Sequence, residues 1–151
     1  MNYLTHRPID TTLPQKITSG RSGAAVTFWG IVRAAPEDGP VTAIEYSAAE
    51  TLAEKMIGAI IQEAKARWPL EEVWIQHRLG RVNVGEASIG IAIFSGHREE
   101  AYAASRFVID SIKMRVPIWK KEIFEGGETR WMPGHPLEEA GSHETWPVRT
   151  K

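Results

Sequence analysis

Apolar positions along this chain follow two rhythms, one extended and one helical. Ala24 to Val32 (Ala-Ala-Val-Thr-Phe-Trp-Gly-Ile-Val) is rich in β-branched and aromatic residues and reads as a strand. After the loop Ala34-Ala35-Pro36-Glu37-Asp38-Gly39-Pro40, a second strand over Val41 to Tyr46 is expected to pair back on it as a hairpin. From Glu50 to Trp68 the spacing changes. Leu52, Met56, Ala59, Ile60, Ala64 and Trp68 recur close to the helical period, and Pro69 stops that helix.

Two more strands follow, Val73 to Leu79 and Ala87 to Phe94, with Gly80-Arg81-Val82-Asn83-Val84-Gly85-Glu86 read as a glycine-punctuated turn between them. A second helix opens near Ser95, the expected N-cap, with Glu99 and Glu100 suited to the positive end of its dipole. Ala101, Ala104, Ser105, Val108 and Ile112 share one face of it, and Tyr102, Arg106, Ile109 and Lys113 form an adjoining stripe. Pro117 ends this helix, because its ring removes an N–H donor and restricts the residue before it. A last hairpin, Ile118 to Phe124 and Thr129 to Met132, turns through Gly126-Gly127. The order of elements implies an α+β fold with a mostly antiparallel sheet. We expect one domain over residues 1–133, followed by a Pro/Gly-rich tail over 134–151.

Composition narrows the function classes. A net charge of -1 argues against a general nucleic-acid binder, which carries a strong basic excess. With no cysteine, the chain has no thiol nucleophile, persulfide carrier, thiolate zinc site or disulfide framework. The histidines His6, His77, His135 and His143 show no metal-site spacing, so no metal is expected. No stretch resembles a signal peptide or the ~20 apolar residues of a membrane span, so a cytoplasmic protein without membrane attachment is expected.

Local charge is uneven. Arg106 to Lys121 holds five basic residues (Arg106, Lys113, Arg115, Lys120, Lys121) against one acid, Asp110. Lys113 lies near the end of a helix and Lys120 in the strand after it. Two ammonium groups on two rigid elements at one corner can hold an anion or activate a carbonyl. Lys120 and Lys121 are strand neighbours that point to opposite faces, so at most one of them shares a site with Lys113. Arg33 closes the first strand, and its planar fork suits phosphate or carboxylate. His97 and Arg98 sit where a strand hands over to a helix, a place that attracts anions. Residue chemistry alone therefore reaches an anion site of Arg33, His97, Arg98, Lys113 and Lys120. It leaves open an enzyme, a non-catalytic module binding a phosphorylated ligand or acidic peptide tail, and a plain solvated surface.

Four segments carry a family likeness: Val26-Thr27-Phe28-Trp29-Gly30-Ile31-Val32-Arg33, the run from His77 to Glu86, the His97-Arg98 turn, and Lys113-x-Arg115-x-Pro117-x-Trp119-Lys120-Lys121-Glu122. In these, from near the N-terminus to Trp131, the chain resembles the catalytic (large) subunit of molybdopterin synthase. The resemblance implies an α/β-hammerhead-like domain with an added β subdomain, and a homodimer at the centre of the assembly. Each end of that dimer would bind a small ubiquitin-like subunit whose C-terminal Gly-Gly carries a thiocarboxylate. The implied activity is sulfur transfer to cyclic pyranopterin monophosphate, repeated to build the dithiolene of molybdopterin, without a cofactor. The missing cysteine fits, because sulfur arrives on the partner.

Carried onto this chain, the family's active-site lysines match Lys113 and Lys120. The first is implied as proton donor or acceptor and as stabiliser of charge while sulfur leaves the acyl carbon, the second as an orienting group. Arg33 is implied as the phosphate grip, with Ile31, Val32, Lys121 and Glu122 among the residues that meet substrate. His97 and Arg98 would complete the pocket from the other protomer. Ala34-Ala35 stand where the family commonly has polar residues, and the tail has no matching segment.

Overall fold

The most continuous apolar run in the chain, Ala87–Ser95, is buried from Ser88 onward, which only a strand covered on both faces can be. The computed structural model, which describes residues 2–17, 19–34 and 39–132, puts it near the centre of a sheet. In chain order the described elements are β1 (Leu4–Thr5), a 3₁₀ turn (Leu13–Lys16), β2 (Ala24–Ile31), β3 (Val41–Ala48), α1 (Glu50–Arg67), β4 (Leu70–Arg78), β5 (Gly80–Asn83), β6 (Ala87–Ser95), α2 (Arg98–Arg115), β7 (Ile118–Phe124) and β8 (Thr129–Trp131). One sheet has the order β1-β4-β6-β2 and the other β5-β3-β7-β8. Only β1 with β4 runs parallel, so the fold is α+β with mostly antiparallel sheets.

Both helices pack on one face of the first sheet. Their buried positions, Ile57, Ile60 and Ala64 of α1 with Ala104, Val108 and Ile112 of α2, meet Ile75, Ile91 and Ile93 in one core. Fully burying isoleucines such as Ile57, Ile60, Ile91 and Ile93 stabilises the fold by about 2 kcal/mol each. A smaller core of Val32, Tyr46, Leu79 and Val82 lies where the second sheet meets the ends of β2 and β4. Lys120 of β7, paired with Tyr46, and the end of β2 that carries Arg33 lie at that junction.

Several expectations are corrected. β2 and β3 do not form a hairpin; β2 pairs with β6, and β3 pairs with β5 and β7 in the other sheet. The seven-residue turn hides β5, a short strand entered through Gly80 at φ 82, a left-handed conformation that glycine adopts without strain. β1 went unread because it is two residues long; the Glu54 carboxylate fixes it by accepting the Tyr3 and Leu4 N–H groups at 2.9 and 2.8 Å. In α1 the buried stripe is Ala53, Ile57, Ile60, Ile61 and Ala64, while Leu52 is half exposed. Two stripes offset by one residue both satisfy the period, and the one facing α2 and the sheet wins. At the start of α2 the N-cap is His97; the Ser95 hydroxyl donates to the His97 carbonyl instead. The hairpin β7–β8 forms as expected. The tail beyond Pro133 lies outside the described residues.

Candidate active site

Pro117 forces Val116 into an extended conformation (φ -83, ψ 129), so α2 stops at Arg115 and the chain turns directly into β7. This puts Lys113 on the last helical turn and Lys120 on the new strand. The other basic residues of the stretch have acid partners: Arg106 with Asp110 at 3.2 Å, Arg115 with Glu63 at 2.7 Å and Lys121 with Glu45 at 3.6 Å. Among the described residues neither Lys113 nor Lys120 has one. Lys113 is exposed and Lys120 half-buried. Burial, and then the charge of Lys113, hold the Lys120 amine below the usual lysine range. The Lys113 charge thus reaches Lys120 across the corner between helix and strand.

Strand alternation sorts the neighbours. Lys121 points away from Lys120, toward Glu45, with its ammonium 5.3 Å from the Trp131 ring centroid. Glu122 shares the face of Lys120 but is only 5% exposed, and its Oε1 accepts from Arg130 at 3.3 Å. Opposite Lys120 in the β3–β7 ladder stands Tyr46, whose ring meets His77 edge-on at 5.2 Å. Burial raises the Tyr46 hydroxyl, a shift that the Ser88 hydroxyl partly offsets.

His77 is buried, and its Nδ1–H donates to the Arg78 carbonyl at 2.8 Å. Burial above all, with a smaller push from Lys120, lowers its pKa to about 4 against the pull of that hydrogen bond. The unfolded chain therefore takes up a proton at His77 near pH 6.5 while the folded chain does not. Folding stability is lost as pH falls from 6.5 to 4, by up to about 3 kcal/mol from this group. Denaturant melts across that window will show the loss, and His77→Asn will remove most of it. Neither His77 nor Tyr46 was singled out by sequence; their pairing exists only at the junction of the two sheets.

At the end of β2, Val32 joins the small core with Tyr46, and its N–H and C=O bond to Glu86 and Gly85. Ile31 before it is 51% exposed, and Arg33 after it is exposed at the same edge. His97 and Arg98 lie elsewhere. Lys113 lies fifteen positions beyond Arg98 in the same helix, about 22 Å along α2. His97 and Arg98 line a surface cavity of about 590 Å³ with Gly23, Gly96, Glu99 and Glu100. Gly23 is required there, since a Cβ would stand 2.3 Å from the Gly96 carbonyl oxygen. Within one chain the cavity and the lysine corner are separate.

Comparison with known proteins gives this arrangement its family. Residues 4–115 match the family model described as MoaE protein. The chain is 40% identical over 139 residues to the molybdopterin synthase catalytic subunit of Aspergillus niger, covering 91% of this chain and 77% of that one. The crystal structure of molybdopterin synthase from Staphylococcus aureus is similar with a TM-score of 0.81 and 34% identity, over 87% of this chain and 96% of that one. A complex of subunits 1 and 2 of molybdopterin-converting factor from Helicobacter pylori shares the fold, with a TM-score of 0.75 at 21% identity over 91% of this chain and 95% of that one. With a family model across most of the chain and such relatives beside it, the chain belongs to the MoaE protein family, that of the molybdopterin synthase catalytic subunits of molybdenum cofactor biosynthesis.

Proposed function

We propose that Lys113 and Lys120 catalyse sulfur transfer from the C-terminal thiocarboxylate of a small ubiquitin-like subunit to cyclic pyranopterin monophosphate. Repeated transfer builds the dithiolene of molybdopterin. One observation carries this reading above all: two lysines on separate rigid elements, with no acid partner among the described residues, one of them with a depressed pKa. A thiocarboxylate is an anion, and both ammonium groups attract it. The thiocarboxylate sulfur bonds to a pterin carbon and displaces its oxygen, giving a thioester; water then adds to the acyl carbon, and Lys113 stabilises the charge that develops on the acyl oxygen. Collapse of that adduct leaves the sulfur on the pterin and a carboxylate on the carrier. Lys120, already shifted toward neutrality, exchanges the proton that the transfer requires.

Arg33 grips the substrate phosphate from the edge of β2, beside Ile31 and Val32, while Lys121 and Glu122 support β7 around Lys120. His97 and Arg98 join the corner from a second protomer of a homodimer, because their own chain holds them too far away. The partner is the small subunit, in keeping with the two-subunit complex among the fold neighbours. No helix among the described residues is long and apolar enough to cross a membrane, and we place the reaction in the cytoplasm.

Arg33→Ala tests the substrate part of this reading. A charged hydrogen bond to phosphate is worth about 1.5–3 kcal/mol, so the variant will bind the pterin phosphate roughly 10–100-fold more weakly in a calorimetric titration. Unchanged affinity would return Arg33 to the solvated surface.

A further inference from the structure

Lys120 has a back wall that the proposed chemistry does not use. Tyr46 stands directly opposite it in the β3–β7 ladder, so both side chains share one face of the sheet at a Cβ spacing of about 5 Å. The Tyr46 ring meets His77 at 5.2 Å with an interplanar angle of 71°. His77 is fixed in turn, 6% exposed and bonded through Nδ1–H to the Arg78 carbonyl, which leaves Nε2 as the nitrogen with the lone pair. Behind the pair lie Val32, Leu79 and Val82 of the small core. One flank of Lys120 therefore faces neutral rings backed by aliphatic side chains, where an exposed lysine would face water.

We propose that Tyr46 and His77 are positioning residues of the sulfur-transfer site: a dry ring wall, anchored at the Arg78 carbonyl, that aims the Lys120 amine and keeps water from one flank of it. This rests on the reading that Lys120 exchanges a proton during transfer. The charged and titratable groups around Lys120 are Lys113 from α2, Tyr46 from β3 and His77 from β4. Along β7 there is also Glu122, held by Arg130 of β8, and Arg33 leaves the end of β2. Among the described residues no carboxylate stands within ion-pair reach of Lys120 to restore its charge. Wall and Lys113 act in the same direction, and removing the wall leaves Lys113 to act alone.

The test is the titration of Lys120 in the full chain without carrier or pterin, read from the pH dependence of amine labelling at each lysine by mass spectrometry. His77→Asn keeps an N–H where Nδ1 had one, so the Arg78 carbonyl stays bonded, but it removes the far half of the ring and admits water. Tyr46→Ala opens the wall from the other side, and thermal melts confirm which variants are folded. In each, the Lys120 titration will move up by about one pH unit, a tenfold drop in reactivity on the rising limb. Lys55 and Lys65, on α1, will not move. The pH–rate profile of sulfur transfer will shift alkaline by the same amount, with KM for the pterin retained. An unchanged Lys120 titration in either folded variant overturns the wall, as does an equal shift at Lys55 and Lys65. Failure of the wild-type chain to form dithiolene would overturn the functional reading instead, and the labelling result would stand apart from it.

Discussion

Lys113→Ala will lower dithiolene formation by roughly 10²–10³-fold, the range lost when a donor that stabilises a developing oxyanion is removed. The folded chain will hardly notice. Lys113 is exposed on the last turn of α2, and its structural contribution is the complement it offers the helix dipole, about 0.3–1 kcal/mol. Its neighbour Ile112 is 4% exposed in the main core, so the contrast between activity and stability is specific to one position. The variant will bind the small subunit as the wild type does, measured by gel filtration or calorimetry. Near wild-type turnover in the variant would show that Lys113 does no chemistry.

The second large effect concerns the two ends of α2. Arg98→Ala and Lys113→Ala will each be nearly inactive, yet a refolded equimolar mixture will recover about a quarter of the wild-type activity. The reason is geometric. Arg98 and Lys113 lie about 22 Å apart along one rigid helix, so a site that uses both draws them from different chains. Half of the reassociated dimers are mixed, and in each mixed dimer one of the two sites has both wild-type residues. If both residues served the same chain's site, every site in the mixture would carry a defect. A mixture that stays inactive would exclude the shared site.

Much of this fold is legible in the sequence. The β-branched runs gave β2, β3 and β6, and Pro69 and Pro117 ended both helices within a residue or two. The period of two separated Lys120 from Lys121, and the structure keeps them on opposite faces, with Lys121 spoken for by Glu45. Pairing partners were not legible. An apolar strand such as Ala24–Ile31 records that it will be covered but not by which strand, and its partner β6 lies more than fifty residues along the chain. β5 escaped because Gly80 and Gly85 flank it like a turn, and the β3 edge, not its own composition, makes it a strand. The wall behind Lys120 was invisible for the same reason. Tyr46 and His77 come from different sheets and meet only once both are folded. The separation of His97 and Arg98 from Lys113 needed only the length of α2, and it is why the proposed site draws them from a second protomer.

In the proposed reaction this corner moves sulfur from a carrier protein to a pterin. The most direct measurement is reconstitution of the purified chain with a thiocarboxylated small subunit and cyclic pyranopterin monophosphate. Carrier thiocarboxylate and dithiolene product are followed together by mass spectrometry and fluorescence of the oxidised pterin. The wild-type chain will consume the thiocarboxylate in step with dithiolene formation, two carriers for each dithiolene. A wild-type chain that binds both the carrier and the pterin but leaves the thiocarboxylate intact would contradict this reaction, and would make the corner a binding site without chemistry.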